Sequence, residues 1–238
     1  MRKPSRLPQA AVFIPCLLAG AVAACGPTAG SVEGPGPGVV REAPLQPAAP
    51  PDSADPGAAP QIYNLGDAEV RMRAAATEAR VAWPMPDIHV QVLKGVRLLI
   101  LRSGDRVVRS YPIALGSAPE GDKEREGDGR TPEGEFYVCT RNDRSRYHLF
   151  LGISYPSRED AERGLRGGLV DREQHNAIVD ANARRARPPW DTGLGGMIGI
   201  HGHGSQGDWT LGCVAVEDSA IEELWLACPL GTSVVIEK

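Results

Sequence analysis

From residue 88 onward, apolar and polar side chains alternate in short runs, the period of strands with one face buried. Runs at 88–92, 97–102 and 107–114 are separated by Lys94-Gly95 and by Ser103-Gly104-Asp105, which predict hairpin turns. Further runs at 135–141, 147–154, 197–201 and 233–236 extend the sheet. Three segments follow the helical period instead. Residues 67–83 carry Glu69 and Arg73 at i,i+4 and stop at Pro84; residues 171–185 lack β-branched runs and Gly; residues 218–227 place Ile221, Leu224, Trp225 and Cys228 at helical spacing. Asp218 or Ser219 is the expected cap of the last helix. No internal repeat is visible, and the pattern predicts a mainly β domain with a few helices.

The first 60 residues follow neither period. Arg2, Lys3 and Arg6 precede an apolar stretch, residues 10–24, interrupted by Pro15. That stretch is shorter than the roughly 20 apolar residues a membrane-spanning helix needs, and it reads as an export signal. It ends in Val22-Ala23-Ala24-Cys25-Gly26, which resembles the lipobox of bacterial lipoproteins, so Cys25 is the expected lipidation site. Acyl chains contribute about 0.8 kcal/mol per buried methylene, enough for stable anchoring with two or more chains. Gly26, where an Asp would signal inner-membrane retention, favours the outer membrane. Residues 26–60 are Pro, Gly and Ala with few large apolar side chains, which predicts a disordered tether. Such a segment spans about 35 Å as a coil and up to about 105 Å in polyproline form. The expected organisation is a lipoprotein signal at 1–25, a tether at 26–60, a short helical lead-in at 61–86 and a catalytic domain at 87–238.

Composition narrows the function classes. With 26 basic against 30 acidic residues the net charge is −4, which supplies no footprint for nucleic acid. The chain is expected to act as a monomer without a cofactor.

The chemistry concentrates in Ile198-Gly199-Ile200-His201-Gly202-His203-Gly204 and Asp208-Trp209-Thr210-Leu211-Gly212-Cys213-Val214. A thiol is a good nucleophile only as thiolate, which needs a neighbouring base or positive charge. His201 supplies one if the intervening loop folds back. Gly212 removes side-chain bulk beside Cys213, so backbone N–H groups can face a developing oxyanion. A helix opening just downstream favours negative charge nearby.

These residues resemble the signature of the L,D-transpeptidase catalytic domain family (YkuD-like), in which Ile-His-Gly precedes Ser/Thr-x-Gly-Cys. A second block, Gly127-Asp128-Gly129-Arg130-Thr131-Pro132-Glu133-Gly134, is similar to the family's Gly-rich turn, and Ser154-Tyr155-Pro156 and residues 231–236 match in order. The resemblance implies a β-sandwich or barrel with the Cys/His site in a cleft. It also implies a peptidoglycan stem peptide as substrate. Cys213 attacks the carbonyl of the third residue, a diamino acid, D-Ala leaves, and an amine resolves the thioester. His201 shuttles the proton, the Gly202 carbonyl orients the imidazole, and N–H groups near Gly212 and Cys213 hold the oxyanion. Thr210, Trp209, Tyr155, His203 and Arg130 are the expected substrate contacts. Where many members carry Arg two residues after the Cys, this chain has Ala215, so that carboxylate contact comes from elsewhere or is absent; Arg130 and Lys123, basic and close to the Gly-rich turn, are the candidates for it.

Rival readings differ in class. Water in place of the amine makes the same site a murein hydrolase or amidase. A catalytic zinc on His201, His203 and Cys213 is another, since three protein ligands and a water make a catalytic zinc site. A wall-binding module with a dead site is the third. Once the N-terminus is processed, Cys139, Cys213 and Cys228 remain; a Cys139–Cys228 disulfide would leave Cys213 reactive, and two buried free thiols are the other arrangement.

Overall fold

The computed structural model describes residues 63–238; the export signal, Cys25 and the tether lie outside the described residues. The alternating runs form strands close to where the pattern puts them. These are β1 (Ile88–Leu93), β2 (Leu98–Ser103), β3 (Arg106–Pro112), β4 (Gly134–Ser145), β5 (His148–Ile153), β6 (Gly199–His201), β7 (Val214–Ala215) and β8 (Ser233–Glu237). They make one eight-stranded sheet in the order β3-β2-β1-β8-β4-β5-β6-β7. Neighbours are antiparallel except β1–β8 and β6–β7.

The long strand β4 turns this sheet into a shell. Its first four residues pair with β8 and the remainder with β5, with register shifts between Val138 and Thr140 and between Asn142 and Ser145. Bulges of this kind bend a strand and tighten its twist. The curl brings the sheet's two ends together, where Ala114 bridges Ala215 and Gly116 bridges Thr210. The Cys213 loop is therefore stitched to the far edge of the sheet. Inside lie Val90, Val92, Leu99, Leu101, Leu149, Leu151, Ile200, Val214, Val234 and Ile236, all nearly inaccessible.

Four helices complete the fold: α1 (Leu65–Glu78), α2 (Arg158–Arg166), α3 (Arg172–Ala183) and α4 (Asp218–Ala227). α1 and α4 pack together and contribute Met72, Ala75, Ile221 and Leu224 to the main core. α1 stops at Glu78, before the expected Pro84, because Arg80 takes a left-handed backbone (φ +58°) and Val81 and Trp83 turn back onto the core. α2 was not expected from the pattern. It opens with a capping box at Ser157 and Asp160, and packs with α3 over a satellite core of Ala161, Val170, Ile178 and Leu194. The cap of α4 is Glu217 rather than Asp218 or Ser219. Both acids reach backward instead: Glu217 Oε1 accepts from Ser205 N and Oγ, and Asp218 Oδ1 from His203 N. Among the described residues no helix is long and apolar enough to cross a membrane.

Candidate active site

The register of β6 and β7 sets His201 opposite Ala215 and Ile200 opposite Val214. Because side chains alternate faces, Cys213 continues onto the same face as His201, while Ile200 and Val214 enter the core. Phe150, paired with His201 across β5, lies on that face and packs with Cys213 and Trp190. Gly199 makes room for it: a Cβ there would sit 2.5 Å from Phe150 Cε2. The thiol and the imidazole are thus held on one wall, 4% and 2% exposed respectively.

His201 Nδ1 lies 2.8 Å from the Gly202 carbonyl oxygen. A carbonyl only accepts, so Nδ1 carries the proton and Nε2 keeps its lone pair. The Tyr147 ring stacks on the imidazole, and Trp209 meets it edge-on with centroids 5.6 Å apart. Burial holds the imidazole pKa down at about 4, the Gly202 carbonyl opposing and His203 adding to the effect. Burial likewise pushes the Cys213 thiol up to about 12, partly offset by the Gly199 N–H and the Lys123 ammonium. The thiol donates to the Met197 carbonyl at 3.5 Å. Both groups are neutral at rest, so Nε2 of the imidazole is unprotonated across the neutral range.

The loop before Cys213 is fastened from three directions. Thr210 Oγ1 donates to the Cys213 carbonyl at 2.8 Å and accepts from Gly212 N at 3.1 Å. Asp208 takes a forked contact from Arg97, Nη2 at 2.7 Å and Nε at 3.1 Å, and accepts from Leu115 N at 2.9 Å. Gly212 has φ +131°, and a Cβ there would lie 2.6 Å from the Arg130 carbonyl oxygen. The Gly-rich turn at 127–134 therefore packs against the Cys213 loop through backbone, which is the physical link between the two sequence blocks.

The structure gathers Cys213, His201, Gly212, Gly202 and Trp209, and redistributes the other expected contacts. Trp209 is 38% exposed and donates to the Gly204 carbonyl. His203 is exposed, with its ring edge-on to Tyr147 at 5.6 Å. Thr210 is buried and spends its hydroxyl on the loop, so it shapes the site instead of touching substrate. Tyr155 is fully buried with its hydroxyl on the Leu194 carbonyl at 3.0 Å, and it leaves the substrate set for the same reason. Arg130 turns toward the Asp122 carbonyl and Glu124. Lys123 is buried and bonded to Asp128 at 2.7 Å, which withdraws it as a carboxylate anchor.

Among the described residues no group of three or more His, Cys, Asp and Glu side chains is placed to share a metal ion, so His201, His203 and Cys213 do not make a zinc site. Cys228 is a free, buried thiol, so no disulfide joins it to Cys139; Cys139 packs beside Phe150, Trp190 and Cys213 instead.

Sequence reasoning missed Tyr147, Trp190 and Met197. Tyr147 and Met197 open apolar runs that read simply as strand, Trp190 stands between Pro189 and Asp191, and only the tertiary fold sets Tyr147 on the imidazole and Trp190 and Met197 beside Cys213. Trp190 donates its Nε1–H to the Tyr155 carbonyl at 2.9 Å, which fixes the ring. With Met197 it lines a groove of about 860 Å³ beside α3.

A family model, the L,D-transpeptidase catalytic domain (YkuD), matches residues 87–236. The curated relatives matched are the putative L,D-transpeptidase YafK of Escherichia coli K12 and of E. coli O157:H7. Each is 34% identical over 87 residues, covering 34% of this chain and 35% of the relative. The match thus spans about a third of the length of those relatives. Among solved structures, the helical cell shape determining protein Pgp2 of Campylobacter jejuni is 20% identical over 72% of this chain and 55% of that one, with a TM-score of 0.46. An L,D-transpeptidase from Xylanimonas cellulosilytica is 20% identical over 69% and 68%, with a TM-score of 0.38. The chain belongs to the L,D-transpeptidase catalytic domain family.

Proposed function

We propose that this protein is a peptidoglycan L,D-transpeptidase that works through a thioester on Cys213. The observation that carries the reading is the shared wall of Cys213 and His201, with Nδ1 committed to the Gly202 carbonyl and Nε2 therefore available for the thiol proton. Nε2 takes that proton as sulfur attacks the carbonyl between the diamino acid and the terminal D-Ala. The tetrahedral oxyanion falls to the Cys213 N–H, because the Gly212 N–H is already donated to Thr210 Oγ1. Collapse breaks the C–N bond, His201 returns the proton to the leaving amine, and D-Ala departs. An incoming amine then attacks the thioester carbonyl, and its proton passes through His201 back to sulfur.

Export, a diacylglycerol anchor on Cys25 in the outer membrane, the tether at 26–60 and a monomeric state complete the proposal; the signal's charge and apolar pattern and the Ala-Ala-Cys-Gly sequence support the first two. The test is incubation of the protein with purified tetrapeptide muropeptides and an amine acceptor, with Cys213→Ala as control. Cross-linked dimers or D-amino-acid exchange mean transferase. Loss of D-Ala alone, or release of attached peptide, means that water resolves the thioester.

A further inference from the structure

The His201 imidazole owes its orientation to Gly202, and Gly202 is gripped in turn by residues 147 and 148. Its carbonyl accepts from His201 Nδ1 at 2.8 Å, and its N–H donates to the Tyr147 carbonyl at 2.9 Å. That second carbonyl belongs to the peptide bond leading into His148. A Cβ on residue 202 would lie 2.9 Å from His148 Cβ and 2.3 Å from Asp218 Oδ1, so only glycine lets both approach. The position of His148 therefore bears directly on the carbonyl that fixes the base.

What holds His148 comes from far along the chain. Its backbone is left-handed, φ +67°, and its Nε2 lies 3.1 Å from Glu222 Oε1 on α4. A carboxylate oxygen accepts, so Nε2 is the donor. Glu222 is buried, and a buried acid needs its oxygens occupied. The Asn64 N–H donates to the same Oε1 at 3.0 Å, and Arg71 Nη2 stands 3.8 Å from Oε2. Tyr63 meets the His148 ring edge-on, with centroids 4.9 Å apart, and its hydroxyl donates to the Asp143 carbonyl. Tyr63, Asn64 and Arg71 all precede residue 87, where the family match begins. The lead-in segment thus closes on the residue behind the catalytic wall, through a carboxylate that α4 supplies.

We infer that Glu222 is a positioning residue for His201: with Tyr63 and Asn64 it clamps His148, and through His148 it sets the Gly202 carbonyl on Nδ1; this rests on His201 serving as the base of the acyl transfer. The lead-in is then part of the catalytic unit and not only a link to the chain before it. Without the clamp, residues 147 and 148 relax, the Gly202 carbonyl leaves Nδ1, and the neutral imidazole divides between its two tautomers. Only the tautomer protonated on Nδ1 leaves Nε2 able to take the thiol proton.

The experiment pairs two measurements on the wild-type chain and its variants. Acyl-enzyme formation with a tetrapeptide muropeptide gives the rate, and NMR of the imidazole nitrogens reads the His201 tautomer, Nδ1–H in the wild type. In Glu222→Leu, which keeps the bulk and loses the acceptor, acylation at saturating substrate should slow about 10- to 100-fold, and Nε2–H should appear beside Nδ1–H. His148→Asn, which tolerates the left-handed backbone, should do the same while leaving Asn64 on Glu222. The two combined should be no worse than either alone, since they break one contact. Glu222→Gln still offers an acceptor to Asn64 and His148 and should stay close to the wild type. Should Glu222→Leu not fold, His148→Asn carries the test. Wild-type rates in His148→Asn, or slowing with the tautomer unchanged, overturn the clamp and leave the acyl-transfer reading standing. Absence of acylation by the wild-type chain overturns the acyl-transfer reading, while the tautomer in the variants still decides the clamp.

Discussion

The Tyr147 ring lies on the His201 imidazole with centroids 4.8 Å apart and planes 29° from parallel. A π face against a ring that becomes cationic when it takes the thiol proton stabilises the charged form and fixes the plane. Tyr147→Leu should lower kcat about 3- to 10-fold, the value of one aromatic pair, with KM little changed. Tyr147→Phe keeps the stack and should stay close to wild type. Equal losses in both variants would point to the hydroxyl instead.

The thiol's environment predicts its titration. Burial pushes Cys213 up to about 12 while His201 is held at about 4, so no thiolate–imidazolium pair exists at rest. Iodoacetamide alkylation of Cys213 should therefore climb steadily through pH 9. A plateau of reactivity near pH 7 would show a pre-formed ion pair.

The same burial makes folding sensitive to acid. In the unfolded chain the His201 imidazole takes a proton near its ordinary value, about 6.5, whereas in the fold it does so only at about 4. The unfolded state thus binds more protons between those values, and stability falls as pH drops through them. The loss from this one group is about 2 kcal/mol at pH 5 relative to pH 7. Urea midpoints at the two pH values should move closer together in His201→Gln than in the wild type.

Asp208 is the pin of the catalytic loop, binding Arg97 and the Leu115 N–H together. Asp208→Ala leaves that N–H without its acceptor and should cost about 1–3 kcal/mol of stability. Acylation should also slow, while Asp208→Asn, which can still accept from Leu115, should recover part of both. Thermal melts and acylation rates on the two variants read this directly.

Much of this was legible in the chain. Alternation gave the strands because one face of each is buried, and the Cys213 and His201 blocks were found because their chemistry is local. What escaped has a common cause. Tyr147 reaches the imidazole, and Trp190 and Met197 reach the thiol, only through long-range contacts that no local pattern encodes. Tyr155 and Thr210 were placed on substrate because polar groups in a motif look available. The structure spends their hydroxyls on the Leu194 and Cys213 carbonyls. Asp218 fits the sequence rule for a helix cap, yet its carboxylate holds the His203 N–H. In each case a tertiary contact claimed a group that local reasoning had counted as unused.

On this mechanism Cys213 becomes acylated by the stem peptide. Intact-protein mass spectrometry shortly after mixing with a tetrapeptide muropeptide tests it most directly. The expected product is a single adduct equal to the substrate less D-Ala, localised by peptide mapping to Cys213, absent in Cys213→Ala and formed more slowly in His201→Gln. Turnover of the muropeptide by Cys213→Ala at the wild-type rate would contradict it.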